Sequence, residues 1–192
     1  MKKRVVSLLL SALLCASLTG CSNAKPEEVS LFAMDTYMTI TAIGDGAADV
    51  LTRISQTVNA LEASLSRTVA ASEVSQLNRD GCAVWDDDGA QLLSWALRHS
   101  EETGGAFDVT IAPLVELWGI TSDSPRVPSQ AEIDALLSLV GYEHVHQSEF
   151  CSISLDEGCS VDLGGIAKGY ASDCAAVLFH RSALTGGCAN LG

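Results

Sequence analysis

The chain has 192 residues, 47% apolar and 18% charged, with a formal net charge of −13. That length and composition fit one globular domain with a real core and exclude a disordered chain. The acidic balance argues against nucleic acid and against a polybasic membrane contact, so an anionic ligand has to be held by local donors.

Met1-Lys-Lys-Arg4 is a basic start, and residues 5–18 form an apolar run too short to span a bilayer comfortably. Leu18-Thr-Gly-Cys21 then looks like a lipobox. The expectation is a lipoprotein signal peptide over 1–20, a lipid on Cys21, a polar tether over 21–30 and a domain over 31–192. Such a chain is exported and held by its lipid against the extracytoplasmic face of the cell membrane. A plain signal peptide or a signal anchor is the alternative. Loss of Lys2, Lys3 and Arg4 takes the charge from −13 to −16.

Residues 38–43 alternate Met, Thr, Ile, Thr, Ala, Ile and predict a half-buried strand, followed by a Gly44-Asp-Gly46 turn. Apolar positions 50, 51, 54, 58, 61 and 65 define one face of a helix. Ser72-Glu-Val-Ser-Gln-Leu-Asn78 predicts a short helix capped by Ser72. Asp86-Asp-Asp-Gly89 reads as an exposed acidic turn; three adjacent carboxylates do not easily converge on one metal ion. Residues 90–102 predict another helix, with Leu92, Leu93, Ala96 and Leu97 inward and His99 on the polar side, stopped by Gly104. Asp108 and Thr110 fall in the loop beyond, and Trp118 reads as a core anchor.

Ser129 with Glu132 forms a capping box for a helix that ends by Gly141. His144 and His146 alternate on a strand-like run, as a surface strand or a shared metal site. Cys151 and Cys159 bracket a stretch that resembles a hairpin, bridged or as free thiols, with a strand pair expected near 150–162. No C-x-x-C pair occurs, which argues against a zinc ribbon or a thioredoxin-like site.

Val161-Asp-Leu-Gly-Gly-Ile-Ala-Lys-Gly-Tyr170 reads as a strand end, a glycine turn and a helix start, with apolar residues at 166, 170, 174 and 177/178. The free N–H groups of that helix start suit an anion, and Lys168 in the first turn adds positive charge. Glycines at such turns are also often purely structural, and neither the Walker nor the dinucleotide fingerprint is present. Residues 186–192 look like the start of a strand. Helices alternating with strands and hairpins give an α+β class, with helices packed on a mixed sheet.

Four separated motifs together resemble the ApbE-type FAD:protein FMN transferases, in order and in spacing. They are Ala33-Met-Asp-Thr36; Ser66-Arg67 with Ser72-Glu-Val-Ser-Gln-Leu-Asn78; Gly104-Gly-Ala-Phe-Asp-Val-Thr-Ile-Ala-Pro-Leu114 with Leu117-Trp-Gly119; and Asp162-Leu-Gly-Gly-Ile-Ala-Lys-Gly169. The resemblance implies a T-fold-like core and a Mg²⁺-dependent enzyme. That enzyme splits FAD, passes FMN to a threonine of an acceptor protein such as a membrane redox complex subunit, and releases AMP. It implies that Met34 packs on the flavin nucleotide and that Leu65, Ser66 and Arg67 line the FAD cleft. Asp108 and Asp162 would accept hydrogen bonds from FAD, Lys168 would meet its phosphates, and the Gly165 carbonyl would reach Mg²⁺. A Mg²⁺-dependent FAD pyrophosphatase and a non-catalytic, lipid-anchored flavin-binding protein are the alternatives. Family members run well past 300 residues, and their further stretch carries the catalytic proton acceptor and most side-chain metal ligands. The expectation is therefore an incomplete domain, marginally stable and with little activity of its own.

Overall fold

The computed structural model describes residues 24–120, 122–148 and 152–192. The leader, the lipobox Cys21 and Cys151 lie outside these residues.

The α+β class holds, with the strands in two antiparallel three-stranded sheets rather than one mixed sheet among the described residues. The first sheet contains β1 (Glu27–Ala33), β2 (Thr36–Gly44) and β6 (Leu184–Asn190), in the order β1-β2-β6. Along β2, Met38, Ile40 and Ala42 are fully buried while Thr39 and Thr41 face outward, the period of two that the sequence shows. Strand β1 follows the same alternation with Val29, Leu31 and Ala33, each paired across to β2. The sheet thus begins at Glu27, inside the stretch read as a tether; its first residues are two glutamates, and the polar composition conceals the alternation. Gly44 is required where β2 meets β6. Its φ is 126°, and a β-carbon there would come within 2.8 Å of the Thr185 backbone nitrogen at a register shift.

Helix α1 (Ala47–Leu65) lays Val50, Leu51, Ile54 and Val58 on that sheet. With Met38, Ile40 and Ala171 they form one core, in which each fully buried aliphatic contributes roughly 1.5–3 kcal/mol. Truncating Ile40 or Ile54 to alanine costs about 2–5 kcal/mol by the cavity left behind.

A second core lies beyond. Helix α2 (Glu73–Asp80) starts where the Ser72 hydroxyl accepts the Ser75 N–H and stops at Gly81, φ 72°. Next come β3 (Cys82–Val84) and α3 (Asp87–Glu102). Asp86 accepts the Gly89 N–H at 2.8 Å, so the acidic run opens a helix instead of making a free turn. A 3₁₀ turn over Val109–Ile111 leads into α4 (Ala112–Trp118), and the Ser129–Glu132 capping box is present on α5 (Gln130–Leu136). Strands β4 (Val145–Gln147) and β5 (Ser152–Leu155) complete the second sheet in the order β3-β5-β4. Leu77, Trp85, Leu92, Leu93, Val109, Ile153, Val161 and Leu163 pack beneath it. Trp85 is the buried tryptophan, whereas Trp118 is 37% exposed at the end of a seven-residue helix and anchors no core.

Strand β5 ends at Leu155 and a turn follows, so no strand pair runs to 162 and residues 160–163 are irregular. His144 and His146 each contact one oxygen of Asp156, at 2.9 and 2.8 Å, as a surface cluster. Helix α6 (Gly164–His180) passes between the two cores. Its buried stripe is Ala167, Ala171 and Ala175, one step off the larger apolar residues at 166, 170, 174 and 178. The alanines let the helix lie close, while Ile166 and Tyr170 reach one core and Leu178 and Phe179 the other.

Candidate functional site

The junction between the cores is where the motif residues meet. At the tip of the β1–β2 hairpin, Met34 and Asp35 have φ of 51° and 55°; among the described residues they alone hold positive φ without being glycine. A two-residue hairpin turn needs this backbone, and side chains there cost about 1–3 kcal/mol. The turn is tied on both sides. Met34 N–H donates to Glu62 Oε1 of α1 at 2.9 Å, and Thr36 Oγ1 donates to the Met34 carbonyl at 3.3 Å. Lys168 Nζ of α6 donates to the same Thr36 hydroxyl at 3.2 Å.

Opposite the turn, α1 ends at Leu65, and Ser72 and Ser75 both donate to the Ser66 carbonyl. This locks the short loop that carries Arg67. Arg67 Nε donates to Asp162 Oδ2 at 2.7 Å, with the two side chains only 10% and 17% exposed, and Arg67 also lies 3.8 Å from Glu116. Asp162 Oδ1 takes the Gly164 N–H at 2.7 Å. The segment before it is held by Asn78, whose amide donates to the Val161 carbonyl at 2.8 Å and accepts the Val161 N–H at 2.7 Å. One side chain thereby replaces a neighbouring strand.

Between these groups lies a cleft of about 260 Å³. Six of the seven residues expected to bind the nucleotide line it: Met34, Leu65, Ser66, Arg67, Asp162 and Lys168. Leu61, Val115, Ile120 and Ala167 make its apolar walls, and Asp35, Glu62, Thr68 and Gly164 complete it. Asp108 is not among them. Its carboxylate accepts the Thr110 N–H and hydroxyl and the Tyr142 N–H, which fixes the 3₁₀ turn. It opens instead on a neighbouring depression shared with Asp162, Gly164 and Gly165. Gly165 sits there under Phe107, whose ring would lie 3.0 Å from any β-carbon at that position.

The helix start differs from the sequence expectation. The Gly164 N–H is taken by Asp162, and the Ile166 and Ala167 N–H groups by the Leu163 carbonyl. An intrahelical 3₁₀-type bond and a side-chain cap satisfy most of that turn internally. An anion in the cleft therefore meets the Lys168 ammonium first. Among the described residues Lys168 faces a hydroxyl, and no carboxylate forms an ion pair with it. No group of three or more His, Cys, Asp or Glu side chains converges among the described residues; Mg²⁺ commonly needs only one or two carboxylates together with substrate phosphates and water.

The ApbE family profile matches residues 34–192. The chain belongs to the ApbE family. Among curated relatives, the FAD:protein FMN transferase of Salmonella typhimurium is 29% identical over 198 residues, covering 94% of this chain and 56% of its own length. The FAD:protein FMN transferase of Escherichia coli K12 is 33% identical over 102 residues, half of this chain and 29% of its own length. The ApbE protein of Thermotoga maritima superposes with a TM-score of 0.80 at 30% identity, over 86% of this chain and 57% of that one. The flavin transferase ApbE of Vibrio cholerae gives 0.79 at 26%, over 88% and 58%. The chain spans little more than half the length of these two structures.

For this ApbE member, sequence reasoning missed Glu62, Asn78 and Asp35. Asn78 lies inside the Ser72–Asn78 motif, but its amide shares the ability to donate and accept with Gln76, so the motif alone does not single it out. Glu62 carried no local signal, because its partner lies 28 residues earlier.

Proposed function

We propose that this chain forms the flavin-nucleotide cleft of a flavin transferase that moves FMN from FAD to a threonine hydroxyl of an acceptor protein, with release of AMP. One observation carries the reading: five residues from separated motifs, with Leu65, line a single cleft that joins apolar walls to an ammonium group. The walls suit a planar ring system, and Lys168 suits the diphosphate. Arg67 and Asp162 hold the cleft's shape through their ion pair. Asp162 keeps a carboxylate at the cleft, able to accept from ribose or ring N–H and O–H groups.

The transfer breaks the pyrophosphate bond between the two nucleotides. Negative charge develops on the leaving AMP, and a cation must meet it. Magnesium belongs to the proposal on that chemical ground; it would take one or two carboxylate or carbonyl oxygens, the Gly165 carbonyl among them, together with the phosphates of FAD. The acceptor's threonine oxygen bonds to the FMN phosphorus as the P–O bond to AMP breaks, and the hydroxyl proton passes to water.

The lipobox extends the proposal to an exported protein anchored through Cys21, with its acceptor on the same membrane face. Fatty-acid labelling that C21S leaves unchanged would remove that part. For the reaction, the chain is incubated with FAD, Mg²⁺ and a threonine-containing acceptor. Mass spectrometry is expected to show FMN added to the acceptor in step with AMP, at a low yield for this chain alone. AMP without a modified acceptor would indicate hydrolysis instead.

A further inference from the structure

We infer that Glu62 is a positioning residue of the nucleotide site: its carboxylate clamps the left-handed Met34–Asp35 turn so that Met34 faces the cleft. This rests on the flavin reading above.

The β1–β2 ladder closes the turn at Ala33 and Thr36, but its two central residues do not themselves favour its backbone. Neither central residue is glycine, and methionine is ill suited to positive φ. Both peptide groups of Met34 are instead held from outside the turn's central pair. Its N–H is held by Glu62, and its carbonyl by Thr36, which in turn receives Lys168. Gly192 lies against Thr36 closely enough that a β-carbon there would overlap the threonine methyl.

Glu62 also sits where electrostatics disfavours it. It lines a cleft that carries Asp35 and Asp162 against Arg67 and Lys168, and Arg67 is already paired with Asp162. Another carboxylate weakens the attraction for a diphosphate. A charged acceptor binds a backbone N–H more strongly than a neutral one, so the clamp is tight where the backbone is strained. Lys168 and Glu62 therefore brace the turn from α6 and α1. A phosphate that draws Lys168 from Thr36 leaves Glu62 as the brace on Met34.

The test uses the full chain, with E62A, E62Q, D35G and the double variant E62A/D35G. Calorimetry measures the Kd for FAD, and hydrogen exchange measures protection of the Met34 amide. E62A is expected to raise Kd at least fivefold and to lose protection at Met34, with the melting temperature within a few degrees of the parent. E62Q keeps an amide oxygen that accepts the same bond, and its Kd stays within threefold of the parent. E62A/D35G recovers part of the loss, by more than D35G alone lowers the Kd of the parent, because glycine takes positive φ freely. A merely structural glutamate would show neither rescue. If the parent binds FAD and E62A raises Kd less than fivefold, or E62Q is as impaired as E62A, the clamp is overturned and the flavin reading stands. If the parent does not bind FAD, the flavin reading falls and this assignment falls with it.

Discussion

Arg67 and Asp162, 95 positions apart in the chain, meet through a 2.7 Å hydrogen bond from the guanidinium Nε to the carboxylate. The contact joins the loop after α1 to the start of α6 and closes the floor of the cleft. Breaking a buried pair by removing one partner leaves an uncompensated charge, which costs about 3–5 kcal/mol. R67A is expected at the lower end, since Asp162 keeps the Gly164 N–H. Urea unfolding measures the loss. In a double-mutant cycle, R67A/D162A is expected to lose less than the sum of its parts.

Asn78 gives a second prediction. N78A removes two hydrogen bonds to the Val161 peptide and leaves that peptide without its acceptor and donor. At about 1–3 kcal/mol for each group left unsatisfied, the stability loss is about 2–6 kcal/mol. N78D keeps the acceptor and loses the donor, so it is expected to fall between N78A and the parent in the same unfolding experiment. Because Asp162 follows directly, nucleotide affinity is expected to drop in parallel.

Lys168 separates binding from stability. Its ammonium contacts a hydroxyl across the cleft and is no part of either core. K168A is therefore expected to change stability by about 0.5 kcal/mol or less. FAD affinity is expected to fall roughly tenfold, the worth of one charge-assisted hydrogen bond. Calorimetry at two ionic strengths checks the mechanism, because the salt dependence of binding should weaken together with the affinity.

The capping box of α5 carries a pH dependence away from the cleft. The Arg126 hydrogen bond, followed by the Ser129 backbone and hydroxyl, lowers the Glu132 carboxyl from 4.5 to about 2. A depressed folded-state pKa stabilises the ionised, folded form. That contribution is fully present above pH 4.5 and is lost as the pH falls toward 2. NMR titration of the Glu132 carboxyl and of the Ser129 amide should give a common midpoint near the lower value. E132Q should remove that titration and leave the fold intact.

The sequence made local features legible and left distant ones hidden. The Met38, Ile40, Ala42 alternation and the 50–65 helix face were readable because each is a short-range pattern. So were the Ser72 cap and the Ser129–Glu132 box. Strand β1 was not, because its inward Val29 and Leu31 alternate with glutamate and serine. The α6 stripe was misplaced because three alanines, small enough for close packing, outrank larger residues that only flank them. Trp118 shows the converse: a large side chain is apolar by composition, yet the end of a seven-residue helix gives it nothing to lie under. At the site, motif residues identified most of the cleft. The turn of Asp108 away from it depends on the local Thr110 and on Tyr142, 34 positions on, which only the folded chain brings to the carboxylate.

On the proposed reading these motif residues enclose a site for a flavin dinucleotide. Titration of the purified chain with FAD by isothermal calorimetry tests it most directly, with K168A and D162A alongside. Saturable binding at one site per chain, weakened by both substitutions, is expected. Absence of binding by the parent, or binding that neither substitution alters, would contradict it.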